Sequence, residues 1–235
     1  MFSRHGIPLV MAALAFCLFS TQAFAFELEM PGDYLAKRKA KVTAGSGWLT
    51  QGAEILPMNR KAFEFRAGFP STDFGVHIPV AKSFELIPFW TLDYLPYGVW
   101  FGVLGDTFGV SLKGCVWSRG PHAISLGADI GLIMMYLPGF NIGVQIGGPE
   151  FRYSHRWNKP RIAVITGFRM PIRVWGLAVS AEIPMLFNIG FEYNVIKNLN
   201  IHSNLEFGPT VVAAPGGVAA VGGHVGFQFG ISYLF

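Results

Sequence analysis

Cysteine, charge and long uninterrupted apolar runs are all scarce in this chain. Of its 235 residues two are Cys, Cys17 and Cys115. Cys17 lies in an apolar leader, so a chain cleaved behind that leader keeps one thiol and forms no internal disulfide. Charged residues make up 14%, and the histidines His77, His122, His155, His202 and His224 fall far apart in sequence, with no metal-ligand spacing. Gly143, Gly147 and Gly148 suit a bulged strand better than a phosphate cradle. No cofactor and no metal are therefore expected, and the nearly balanced charge argues against nucleic acid. Hydrophobic residues still reach 51%. The two long uncharged stretches, 130–149 and 207–235, are broken by Pro138, Pro209, Pro215 and many glycines, which excludes a membrane-crossing helix.

What the chain does have is 29 Gly and 22 Phe, set in runs of about ten residues whose large apolar side chains recur at every second position, the period of a strand. Ten strands are predicted: Ala62 to Phe69, Phe74 to Val80, Phe84 to Tyr94, Thr107 to Trp117, His122 to Met134, Asn141 to Trp157, Arg161 to Arg173, Val179 to Val195, Leu199 to Ala213 and His224 to Phe235. A bulge is expected at Gly147-Gly148-Pro149. The expected class is all-β, a transmembrane antiparallel up-and-down β-barrel over residues 61–235. Eight strands is the alternative if the first two form a lid or plug. A soluble sandwich or lipocalin-like barrel, aromatics inside and charges outside, is the competing architecture.

The final strand is the most specific segment. Phe227, Phe229, Ile231, Tyr233 and the terminal Phe235 share one face, while Gly226, Gln228, Gly230 and Ser232 line the other, with Leu234 the sole apolar exception there. An alternating strand ending on an aromatic residue resembles the terminal strand of bacterial outer-membrane β-barrel proteins. That resemblance implies that these five residues are an insertion signal read by the barrel-assembly machinery. It also implies the bacterial outer membrane as location and its lipid as partner. It implies no activity and no oligomeric state.

The amino terminus fits the same address. Arg4 and His5 precede an apolar run that ends in Ala23-Phe24-Ala25, so residues 1–25 read as a secretory signal peptide. Cys17 would mark a lipoprotein, but the large Phe16 before it disfavours lipidation. Cleavage after Ala25 removes Arg4 alone among the charged residues, leaving 17 bases against 14 acids. Residues 26–60 read as a periplasmic N-terminal segment, with Asp33 capping a short helix ahead of Lys37, Arg38, Lys39 and Lys41. A membrane-surface helix or a segment folded into the barrel mouth are the alternatives. Between strands, tight polar turns near 81–83, 118–121, 158–160 and 196–198 alternate with longer connections, the longest being Leu95 to Asp106 and Ala214 to Gly223. Short turns on one side and long loops on the other are the outer-membrane pattern.

With the last strand's aromatic face turned to lipid, parity sends one set of charges inward: Glu64, Arg66, Glu85, Asp93, Lys113, Asp129, Glu150, Arg152, Arg169, Arg173, Glu182, Glu192 and Glu206, with His202 beside them. A lipid-facing Arg or Lys near the midplane costs about 2–4 kcal/mol, so charges that share one parity point to a polar interior. A barrel this narrow is filled by its own side chains, and the near balance of sign suggests mutual pairing. The expected function is a structural or surface-interaction role around a largely filled lumen; the alternative is a small porin. A lipid-modifying enzyme is the third class, tested on His202 and Ser203. Adjacent strand residues point to opposite faces, so they build no catalytic pair and no enzymatic role is expected.

Overall fold

The computed structural model describes residues 48–94, 104–136, 139–176, 180–214 and 217–235. The signal peptide, the capped segment at Asp33 and the basic run from Lys37 to Lys41 lie outside them. Among the described residues there are thirteen strands: β1 Ala62–Phe69, β2 Ser71–Ala81, β3 Phe84–Asp93, β4 Gly105–Arg119, β5 His122–Met135, β6 Asn141–Gly147, β7 Glu150–Asn158, β8 Arg161–Arg169, β9 Pro171–Trp175, β10 Ser180–Pro184, β11 Leu186–Ile196, β12 Leu199–Ala214 and β13 Gly217–Leu234. All pairings are antiparallel, and β1 pairs with β13 from Ala62–Leu234 to Phe69–Phe227, which closes the sheet on itself.

Thirteen strands make ten staves, because three staves are each split once. β6 and β7 both pair with β5, β8 and β9 with β11 and β10 respectively, and β10 and β11 both with β12. A proline stands at every split: Pro149 after Gly148, Pro171 after Met170 and Pro184 before Met185. Proline has no N–H to give the ladder, so pairing lapses there. Single hydrogen bonds bridge the gaps, Gly148 N to Met170 O at 2.9 Å and Met185 N to Pro209 O at 2.9 Å. A Cβ on Gly208 would stand 1.9 Å from the Met185 carbonyl oxygen, so only glycine allows that approach.

At one rim the staves are joined by two-residue turns, Lys82-Ser83, Gly120-Pro121, Lys159-Pro160 and Lys197-Asn198. Gly120 supplies the positive φ its turn needs, 59°. The start of β1 meets the last residue at this turn rim, where Lys61 and Phe235 exchange backbone hydrogen bonds of 2.8 and 2.9 Å. The opposite, loop rim holds the longer connections. One expectation fails there. Residues 217–223 are strand rather than loop, because β12 and β13 pair through Thr210–Gly222 and Val212–Ala220 to Ala214–Gly217. The glycines that read as turn residues lie within the ladder.

The sheet is inside out relative to a soluble sandwich. Its outer face exposes Ile130, Val225 and Phe229 by about 60% each, and an aromatic row crosses it from Phe65 through Phe74 and Trp90 to Phe108, with centroids 4.8 to 6.2 Å apart. Inside, apolar clusters are small and gather at the turn rim: Ala53, Ile55, Cys115 and Ala123; Trp48, Leu49 and Ala163; Leu56, Ala62 and Leu234. Three of these groups include residues before β1. Of the alternatives for residues 26–60, the described end follows the segment folded inward, since residues 48–50 and 52–56 are buried inside the ring.

Candidate functional site: the polar interior and its plug

Cross-strand register places the interior charges against one another. Glu85 and Lys113 are directly opposite on β3 and β4, and Arg66 is opposite Asp73 on β1 and β2. From these pairs a continuous chain of contacts runs down the wall. Arg66 reaches Asp73 at 3.3 Å and Glu64 at 2.8 Å. Glu64 meets His77 Nε2 at 2.5 Å, His77 Nδ1 meets Glu85 at 2.6 Å, and Glu85 meets Lys113 Nζ at 3.1 Å. His77 and Asp73 were not assigned inward from sequence. The parity of a strand beginning at Ser71 gives both, and the sequence-based start at Phe74 left Asp73 out.

The chain of contacts ends on backbone. Lys113 Nζ donates to the carbonyls of Thr50 and Gly52 at 3.3 Å each, and Leu56 N donates to Glu85 Oε2 at 3.1 Å. Glu192 performs the same service across the ring. It accepts from Thr50 N at 2.8 Å, Thr50 Oγ1 at 2.7 Å, Gln51 N at 2.8 Å and Asn200 Nδ2 at 2.7 Å. Asn200 also donates to Trp48 O, Ser154 Oγ accepts from Ala53 N at 3.1 Å, and Arg156 pairs with Glu54 at 2.6 Å. An irregular segment buried without such partners would strand its peptide groups at high cost. Residues 48–56 avoid that cost by taking their partners from the wall, and so they plug the turn-rim half.

Toward the loop rim the remaining charges face each other around a cavity of about 110 Å³. Arg169 pairs with Glu206 and Arg152 with Glu150, both at 2.6 Å. Arg173 meets Asp93 at 3.2 Å and donates to Gln145 at 3.2 Å, while Gln145 donates to Asp129 at 3.0 Å. Asp73 accepts from Gln228 at 2.6 Å. Glu182 is buried on β10 opposite Arg173 in the register, and His202 is buried on β12 opposite Gly230. All fourteen residues assigned inward by parity thus lie buried in the ring or line this cavity. Phe227, Phe229, Ile231, Tyr233 and Phe235 lie on the outer face, 43 to 61% exposed.

Among the described residues no three His, Cys, Asp or Glu side chains form a metal-holding group. No protein-family model and no curated protein matches the chain. Solved structures similar to it include OmpT, an outer membrane protein of Vibrio cholerae in its trimer form. That pair is 10% identical with a TM-score of 0.35, covering 72% of this chain and 56% of OmpT. A bacterial polysaccharide outer membrane secretin is 11% identical at a TM-score of 0.46, covering 72% of this chain and 57% of its own. Neisserial surface protein A is 12% identical at 0.33, covering 75% and 94%. The chain thus spans just over half the length of the first two. Likeness at these values carries no weight for what this chain does.

Proposed function

We propose that this chain is a ten-strand transmembrane β-barrel of the bacterial outer membrane with a structural or surface-interaction role, its lumen closed by its own residues 48–56. The plug carries the reading. Glu85, Lys113, Glu192, Asn200 and Ser154 hydrogen-bond to its backbone, which ties it across the turn-rim half of the lumen. Closure of β1 on β13 removes the sheet edge, as hydrocarbon requires, and the apolar outer face meets lipid. In this reading Phe227, Phe229, Ile231, Tyr233 and Phe235 are the strand that the barrel-assembly machinery receives. Catalysis has no part in this reading.

The charged cavity at the loop rim favours a second reading, a small porin whose plug moves aside. Planar-bilayer recording of the refolded chain separates the two. The plugged reading expects no channel steps from the native chain and steps from one in which residues 48–56 are replaced by a Gly/Ser linker. Steps from the native chain would establish the porin instead.

A further inference from the structure

His122 and His155 stand 33 residues apart in sequence, a spacing that signals nothing. The ladder makes them neighbours, His122 at the start of β5 directly opposite His155 on β7. Arg156 N donates to Pro121 O at 2.9 Å, so the next pair along, His122 with His155, is the type without mutual backbone bonds. In that type the side chains stand closest, with Cβ atoms about 4.5–5.5 Å apart. Their neighbours Ala123 and Ser154 are buried inward, which turns both imidazoles to the outer face beside the turn rim.

Their rings are held in place. Trp157 packs edge-on against His155 with centroids 4.3 Å apart and the planes at 76°, and the two imidazole centroids are 4.5 Å apart. The two Nδ1 atoms face each other at 3.2 Å, and the Tyr153 hydroxyl lies 2.7 Å from Nδ1 of His122. An imidazole nitrogen carries either one proton or one lone pair. His122 Nδ1 therefore gives Tyr153 and His155 at most one well-directed bond between them. A cation that accepts both lone pairs satisfies the whole group.

We infer that His122 and His155 bind one divalent late first-row transition-metal ion, of the zinc and copper kind, through their Nδ1 atoms. Zinc–imidazole bonds of about 2.0–2.1 Å put two nitrogens on a tetrahedral ion about 3.3–3.4 Å apart, close to the separation the fold already imposes. The Tyr153 oxygen is placed to contact the same ion, and water from the half-open surface completes the shell. Imidazoles without a carboxylate favour zinc, nickel and copper over magnesium or calcium. Exposed Arg119, opposite His122 on β4, keeps the affinity modest.

The test uses the untagged, folded full chain in detergent. Zinc titrated calorimetrically binds with one-to-one stoichiometry, and copper(II) at one equivalent gives an electron paramagnetic spectrum with two-nitrogen coupling. His122→Ala and His155→Ala each weaken zinc binding by about tenfold or more, and Tyr153→Phe by less. Zinc also raises the unfolding temperature of the native chain but not of these variants. Magnesium does neither. Because both imidazoles lie outside the ring's interior, the variants keep the native β-rich circular dichroism spectrum; His155→Gln serves if His155→Ala does not. Zinc binding unchanged in both histidine variants, or copper coupled to a single nitrogen, would overturn the inference.

Discussion

The two halves of the interior use the same residue types for different ends. At the turn rim Glu85, Lys113 and Glu192 face an irregular segment and satisfy its peptide groups. At the loop rim Arg169 and Arg173 pair with carboxylates on staves that are not their neighbours, Arg152 pairs with Glu150 on its own strand, and these charges satisfy one another. The first arrangement is dry and long-range, with Thr50 bonded to a residue 142 positions away. The second borders a cavity large enough for several waters, each occupying about 30 Å³ in the liquid. A charge in a closed ring is thus a partner either for a stray backbone or for another charge, and the space left over decides which.

Breaking the plugged half has the larger expected effect. Glu85→Leu leaves Lys113 without its carboxylate, His77 with Glu64 alone and Leu56 N–H without an acceptor, and removal of one partner from a buried pair costs about 3–5 kcal/mol. Urea unfolding followed by tryptophan fluorescence reads that loss, and a change under about 1 kcal/mol would show that water reaches the pair. Arg169→Leu probes the other half. Glu206 keeps its bond from Asn204 at 3.0 Å, and cavity water replaces the guanidinium, so about 1–2 kcal/mol is expected. Equal losses at the two positions would erase the distinction between the halves. Phe235→Ala keeps the backbone bonds to Lys61 and costs less than about 1.5 kcal/mol, yet lowers the amount of protein recovered in the outer-membrane fraction. Normal recovery would make Phe235 an ordinary rim aromatic.

Alternation made the staves legible. Ala62–Phe69 follows from sequence without adjustment, and Gly147-Gly148-Pro149 marks the split between β6 and β7 because a missing N–H has a fixed meaning. Parity put Glu64, Arg66, Glu85 and Lys113 on one face, and only the register sets Glu85 opposite Lys113. Which of the alternatives for residues 26–60 holds was not legible, for the opposite reason. Residues 48–56 have no period, and their burial follows from contacts with β11 and β12 about 140 to 150 positions away. The β12–β13 hairpin was cut short in the sequence reading because Gly222 and Gly223 mimic a turn, although paired extended backbone tolerates both. The His122–His155 pair depended on register, which two separate sequence segments do not reveal.

The height of the wall has its own consequence. The ladder between β1 and β13 stops at Phe69–Phe227, while β13 runs on to Gly217. β1 has eight residues, about 27 Å of strand, and a tilt of about 40° reduces that to about 20 Å of height. The lowest stave, not the tallest, fixes how thick a hydrocarbon layer the ring can seal. In a membrane this chain would match a bilayer thinner than the usual core of about 30 Å or draw its surroundings down to fit. Under the proposed membrane placement, lipid thickness would be a sorting variable for it, set by where a single proline, Pro70, ends one strand.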